Sequence, residues 1–184
     1  MPRPIVFTGF MGCGKTRVAR ELAQRLSLKM VDLDEWITER EGRSPAQLIV
    51  EDGEPAFRAI ESSTLHELLE SNRADVIALG GGAWIVETNR ALVCEHNCLS
   101  VWLDAPFETC WARMGASGDD RPLGKTREQA QTLYERRRPI YQLADIHIQI
   151  EEMNFEDLIS LIANRLGFAG SPFKNNPANS ENPV

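Results

Sequence analysis

Ile5-Val6-Phe7-Thr8-Gly9-Phe10-Met11-Gly12-Cys13-Gly14-Lys15-Thr16 is the stretch whose reading decides the fold. Ile5 to Thr8 is a short apolar run rich in strand formers and reads as a buried strand. Gly9 to Thr16 then fits G-x-x-x-x-G-K-[ST] in full. From Lys15 to about Leu26 the pattern turns helical, with Val18, Leu22 and Leu26 at i, i+4 and i+8 on one face. Strand, glycine-rich turn and helix in this order make a phosphate cradle. The glycines let the loop fold tightly with its N–H groups turned inward, and the helix N-terminus adds partial positive charge. In such a loop Lys15 reaches the β- and γ-phosphates, and the Thr16 hydroxyl ligates Mg²⁺.

Working outward, Lys29 to Leu33, Val76 to Leu79, Leu99 to Leu103 and Ile146 to Ile150 read as four more strands. Glu35 to Leu69 reads as helix, broken at Gly42-Arg43-Ser44-Pro45 and at Asp52-Gly53. Ser44 is the expected N-cap, with Pro45 at the first helical position. Further helices are expected over Phe107 to Met114, Arg127 to Tyr141 and Phe155 to Leu166. Gly115-Ala116-Ser117-Gly118-Asp119-Asp120 is small, polar and flexible in character. Beyond Gly167 the composition falls to Gly, Ser, Pro and Asn, which reads as a disordered tail over 169–184.

Five short strands alternating with helices imply an α/β fold: three layers, α/β/α, around a five-stranded parallel sheet. At 184 residues the chain fits a single domain, expected over 1–168. The strand ends at Gly9, Asp32/Asp34, Gly80 to Gly82 and Asp104 then share one edge, where ligands bind in such sheets.

The formal charge of -7 argues against a nucleic-acid-binding surface, which needs a basic face. Four unframed cysteines suit a reducing compartment, and no apolar run approaches a membrane span or a signal-peptide core. A cytoplasmic monomer is expected. The charge also sets a puzzle, because an acidic chain that binds polyphosphate must place its Lys and Arg singly and locally.

Asp32 and Asp34, two apart after the second strand, point the same way if the chain is extended. One carboxylate then holds Mg²⁺ while the other accepts a hydrogen bond from an acceptor hydroxyl. The alternative is that Asp34 caps the following helix. Gly80-Gly81-Gly82 permits a ligand to approach bare backbone. Arg58 and Arg137 suit bidentate carboxylate recognition, although a solvated surface role is the default for any one arginine. Cys13, inside the cradle, is either an activated thiol or a small residue fitted to a turn. Cys94-Glu95-His96-Asn97-Cys98 offers three metal ligands without a fourth. Trp84 is read as packing or as a wall of the acceptor pocket, and His147 as a partly exposed strand residue.

These residues together resemble the shikimate kinase family. The match is carried by Gly9 to Thr16, Asp32-Leu33-Asp34, Gly53-Glu54 with Phe57-Arg58 and Glu61, Gly80-Gly81-Gly82-Ala83, Arg121-Pro122-Leu123, and Arg136-Arg137-Arg138-Pro139-Ile140-Tyr141, in the family's order and spacing. The resemblance implies Mg-dependent transfer of the ATP γ-phosphoryl to the 3-hydroxyl of shikimate, giving shikimate 3-phosphate and ADP. It implies a nucleoside-monophosphate-kinase-like fold with a helical substrate-binding insert (about 33–61) and a mobile lid (about 115–126). By the same resemblance Gly12, Cys13, Gly14, Lys15, Thr16 and Arg17 line the nucleotide phosphates, and Thr16 and Asp32 serve Mg²⁺. Asp34 contacts the acceptor hydroxyls as base or positioning group. Arg58 and Arg137 clamp the carboxylate, helped by the backbone of Gly80, Gly81 and Gly82. Lys15, Asp34 and Arg121 are then the catalytic set, with Arg121 on the lid and Arg113 against the adenine. Arg17, Gly124 and Glu151-Glu152 depart from the family pattern. The rival readings are a related small-metabolite kinase, such as a gluconate kinase, and a catalytically inert nucleotide-binding regulatory module.

Overall fold

The first strand, β1 (Ile5–Thr8), is buried along its whole length, as a strand covered on both faces must be. In the structure, a computed structural model describing residues 3–116, 126–150 and 153–168, it is the centre of a five-stranded parallel sheet. The other strands are β2 (Met30–Asp32), β3 (Val76–Ala78), β4 (Leu99–Asp104) and β5 (Ile146–Gln149), in spatial order β2-β3-β1-β4-β5. β1 pairs with β3 through Val6↔Ile77 and with β4 through Val6↔Ser100. Arg121 and Gly124, with most of the expected lid, lie outside the described residues, as do Glu151, Glu152 and the tail.

Chain direction decides which face each helix covers. From β1, helix α1 (Lys15–Leu26) leads toward one edge of the sheet, to β2. From β3, helix α5 (Glu87–Glu95) leads the other way, to β4. Right-handed crossovers running in opposite directions place their helices on opposite faces, so the domain has three layers. α1 buries Val18, Ala19, Leu22 and Ala23 and ends on Ser27 in the left-handed conformation, with φ 56°. Its face packs on β1, β2 and β3 and also receives α8 (Phe155–Arg165).

Between β2 and β3 run α2 (Leu33–Glu41), α3 (Pro45–Asp52) and α4 (Glu54–Glu70). Ser44 caps α3 in a full capping box with Gln47, and Pro45 follows as expected from the sequence. Such a cap stabilises the helix by about 1 kcal/mol. α6 (Phe107–Ala116) and α7 (Arg127–Tyr141) follow β4.

Two local readings are corrected. Asp32, not Asp34, caps α2: its carboxylate accepts hydrogen bonds from the N–H groups of Asp34 and Glu35, and the helix begins at Leu33. Asp32 and Asp34 therefore do not sit side by side on extended chain. Residues 83–98, unassigned from the sequence, form a 3-10 turn (Ala83–Ile85) and α5. Among the described residues no helix is long and apolar enough to cross a membrane.

Candidate active site

The carboxyl ends of β1, β2 and β3 open into a cleft of about 1130 Å³ that runs from the Gly9–Thr16 loop to α3 and α4. Its phosphate end is built by α1. Gly14 caps that helix with φ 102°, and the N–H groups of its first turn have no side-chain cap, so they remain available to a ligand. Lys15 is buried and lies across the loop, donating to the carbonyls of Gly9 (2.9 Å) and Phe10 (3.1 Å). Thr16 Oγ1 donates to Asp32 Oδ2 at 2.6 Å, which ties α1 to the end of β2. Arg113 of α6 reaches the loop from the opposite side, donating to the Cys13 carbonyl at 3.4 Å. Arg17 lines the cleft with its guanidinium 4.1 Å from the centre of the Phe155 ring.

Cys13 is only 1% exposed, which supports the small-residue reading over the reactive one. The cluster at Cys94 to Cys98 does not converge either. Cys98 is buried and His96 Nε2 pairs with Glu70. Among the described residues no three His, Cys, Asp or Glu side chains are placed to hold a metal.

The other end of the cleft is organised by Gly80-Gly81-Gly82. Close approach is realised here, but by the protein's own side chains. A Cβ on Gly80 would lie 2.5 Å from Asp34 Oδ1, and one on Gly82 would lie 2.2 Å from Arg58 Nη2. The glycines thus let α2 and α4 bring Asp34 and Arg58 onto the end of β3. Arg58 donates to Glu61 Oε2 at 2.7 Å, while its Nη2 and Nε reach Glu54 Oε1 at 3.1 and 3.3 Å. Arg137 of α7 is buried and donates to the Gly81 carbonyl at 3.2 Å, and the Tyr141 hydroxyl donates to the same oxygen at 2.6 Å. Arg58 and Arg137, 79 positions apart in sequence, therefore flank one three-residue loop.

Burial sets the electrostatics. It pushes the Asp34 carboxyl up to about 7, with Asp32 and Glu61 adding repulsion and Lys15 and Arg58 opposing it. Glu61 is also raised, chiefly by burial, against the pull of Arg58. Its Oε1 is buried without a hydrogen-bond partner, so this carboxyl retains one unused acceptor beside Gly80. The sequence reading gave Glu61 no role. An acidic residue three after Arg58, at i+4 from Phe57 and i−4 from Leu65 on the core-facing side of α4, was the available signal. Tyr141 was likewise unassigned. Trp84 is not a wall of the cleft: it is buried, and its indole N–H donates to the Ile140 carbonyl of α7.

A complete phosphate loop at the end of a central parallel strand, with an acid- and arginine-lined cavity beside it, defines a P-loop kinase fold. A sequence model of the family described as Shikimate kinase matches residues 11–166, and the chain belongs to the shikimate kinase family. It is 40% identical over 172 residues to a shikimate kinase of Thermobifida fusca (91% of this chain, 98% of that one). To one of Thermus thermophilus it is 36% identical over 173 residues (90% and 92%). Among solved structures, shikimate kinase from Acinetobacter baumannii in complex with shikimate superposes with a TM-score of 0.82 at 28% identity, over 93% of this chain and 97% of that one. Deoxyadenosine kinase from M. mycoides with bound dCTP, at TM-score 0.60 and 16% identity over 90% and 99%, shares the fold alone.

Proposed function

We propose that this chain is a shikimate kinase, transferring the ATP γ-phosphoryl to the 3-hydroxyl of shikimate to give shikimate 3-phosphate and ADP. The observation that carries the reading is the meeting of Asp34, Arg58 and Arg137 around Gly80–Gly82, in the same cleft as Lys15 and Thr16. A carboxylate-bearing polyol needs both halves of that set: guanidinium groups for its anion and a base for its hydroxyl.

The transferred phosphoryl demands little covalent help, so the protein's work is placement and charge neutralisation. The first turn of α1 and Lys15 take the phosphates, with Gly12, Cys13, Gly14 and Arg17 along the loop. Arg113 stands on the nucleotide side, and the family pattern assigns Arg121 to the phosphates from the lid. Arg58 and Arg137 hold the acceptor carboxylate, with the Gly80–Gly82 backbone beneath it. Asp34, with its carboxyl at about 7, is matched to accept the hydroxyl proton near neutral pH. Thr16 and Asp32 present hard oxygens at the head of α1, the donor type of an ion that takes few protein ligands beside phosphates and water. They would hold Mg²⁺, which when bound neutralises charge on the phosphate oxygens. The four cysteines are free, in keeping with a cytoplasmic enzyme, and we take the working unit to be the monomer.

The test is ADP release in a coupled assay with ATP and Mg²⁺, comparing shikimate with gluconate. Release that depends on shikimate is expected. Release on gluconate alone would assign a different small-metabolite kinase, and nucleotide binding without release on either acceptor would assign a regulatory module.

A further inference from the structure

Arg138 neighbours the acceptor-side Arg137 but turns to the other end of the sheet edge. Its Nη2 donates to Asp104 Oδ2 at 2.8 Å, and Asp104, the last residue of β4, is buried. His147 Nε2 of β5 lies 2.9 Å from the same oxygen. The His147 ring stacks on Trp102 with centroids 4.1 Å apart and planes 11° from parallel, and the Arg138 guanidinium lies 5.5 Å from the Trp102 ring centre. The sequence reading left His147 and Arg138 without a role.

What this cluster holds is a weak point of α7. Pro139 sits inside the helix, where it cannot donate the backbone hydrogen bond of its turn. The segment carrying Arg137 therefore depends on side-chain ties. Tyr141 and Arg137 tie it to Gly81, and Trp84 ties Ile140 to the turn after the glycines. On the β4 side the Tyr134 hydroxyl donates to the Ala105 carbonyl at 3.0 Å, and Arg138 meets Asp104. Ties on two sides of a proline-weakened turn fix its rotation, and that rotation decides where the Arg137 guanidinium stands.

We infer that Arg138, clamped to Asp104, is a positioning residue for the acceptor: it sets the rotation of α7 at Pro139 and so aims Arg137 at the carboxylate of shikimate. This rests on the function proposed above. The pair joins a half-exposed arginine to a buried carboxylate, so it lies between a surface ion pair and a buried charged hydrogen bond. Misaiming a binding arginine weakens the acceptor without touching phosphoryl transfer itself.

The experiment is steady-state kinetics of Arg138→Met, which keeps the apolar stem, and of Arg138→Lys, which restores a charge to Asp104. Arg138→Met is expected to raise the shikimate KM roughly five- to tenfold, with kcat and the ATP KM within about twofold of wild type. Arg138→Lys should recover most of the loss. An unchanged shikimate KM in Arg138→Met overturns the inference. So does a joint fall of kcat and both affinities accompanied by a lower melting temperature, which would mark Arg138 as structural only. A wild-type protein that releases no ADP on shikimate overturns the functional reading first and this inference with it.

Discussion

Replacing Asp34 by Asn removes a carboxyl that the fold holds at about 7 against an ordinary value of 3.8. The folded state prefers this group protonated. Its contribution to stability is therefore fully present below about 4 and is lost as pH rises through about 7. At about 1.36 kcal/mol for each pH unit between those two values, the loss has an upper bound of about 4 kcal/mol. Asp34 faces the cleft and is partly open to water, which reduces that to about 1–3 kcal/mol. Asn keeps the shape and does not titrate. Asp34→Asn should thus match wild type near pH 4.5 and become more stable by about 1–3 kcal/mol at pH 8. Phosphoryl transfer should meanwhile fall by about a hundredfold or more. Urea unfolding followed by the fluorescence of the four tryptophans, at pH 4.5, 6, 7 and 8, measures the first effect. Wild-type and variant stabilities that stay parallel across that range would refute the burial argument, whatever the activity does.

The same titration gives the rate profile: kcat/KM of wild type should rise with pH along a limb near 7, since only ionised Asp34 accepts the hydroxyl proton, and a flat profile between pH 5.5 and 8 would remove Asp34 as base. Gly82→Ala places a methyl 2.2 Å from Arg58 Nη2, so it should displace that guanidinium and raise the shikimate KM about tenfold while the ATP KM holds, as initial rates at saturating ATP will show. Thr16→Val removes the hydroxyl that Asp32 accepts from, and should raise the Mg²⁺ concentration needed for half-maximal rate about tenfold in a titration against EDTA. Iodoacetamide should leave ATP binding by the folded protein unaffected, because Cys13 is 1% exposed; modification of that thiol at the rate of exposed Cys94 would contradict the packing.

The phosphate half of this site was legible because it is local. Eight consecutive residues between a strand and a helix state their own geometry, and α1 begins and ends where the spacing of Val18, Leu22 and Leu26 puts it. The Ser44-Pro45 start of α3 was legible for the same reason, since a cap is a contact within four residues. The acceptor half depends on contacts across 20 to 80 positions. Sequence supplied candidates there, through the family resemblance, but not the approach of Arg58 to Gly82 or the pairing of Tyr141 with Gly81. α5 escaped because its burial rests on Asn89 and Val93 alone, too little for a periodic signal. The placement of Asp32 as cap was missed because two aspartates two apart compete for that role, and Thr16 decides between them from another helix.

The pairing of Arg58 with two glutamates carries a consequence for selection among anions. Around Gly80–Gly82 the acids Asp32, Asp34, Glu54 and Glu61 stand against Lys15, Arg58 and Arg137, so the positive charge is already balanced by the protein. An arriving carboxylate meets no unscreened field that would draw in chloride, phosphate or citrate equally well. It must instead offer oxygens in the positions that let the guanidinium groups exchange partners without losing hydrogen bonds. Discrimination then comes from fit and not from attraction, and acceptor affinity should change little with ionic strength.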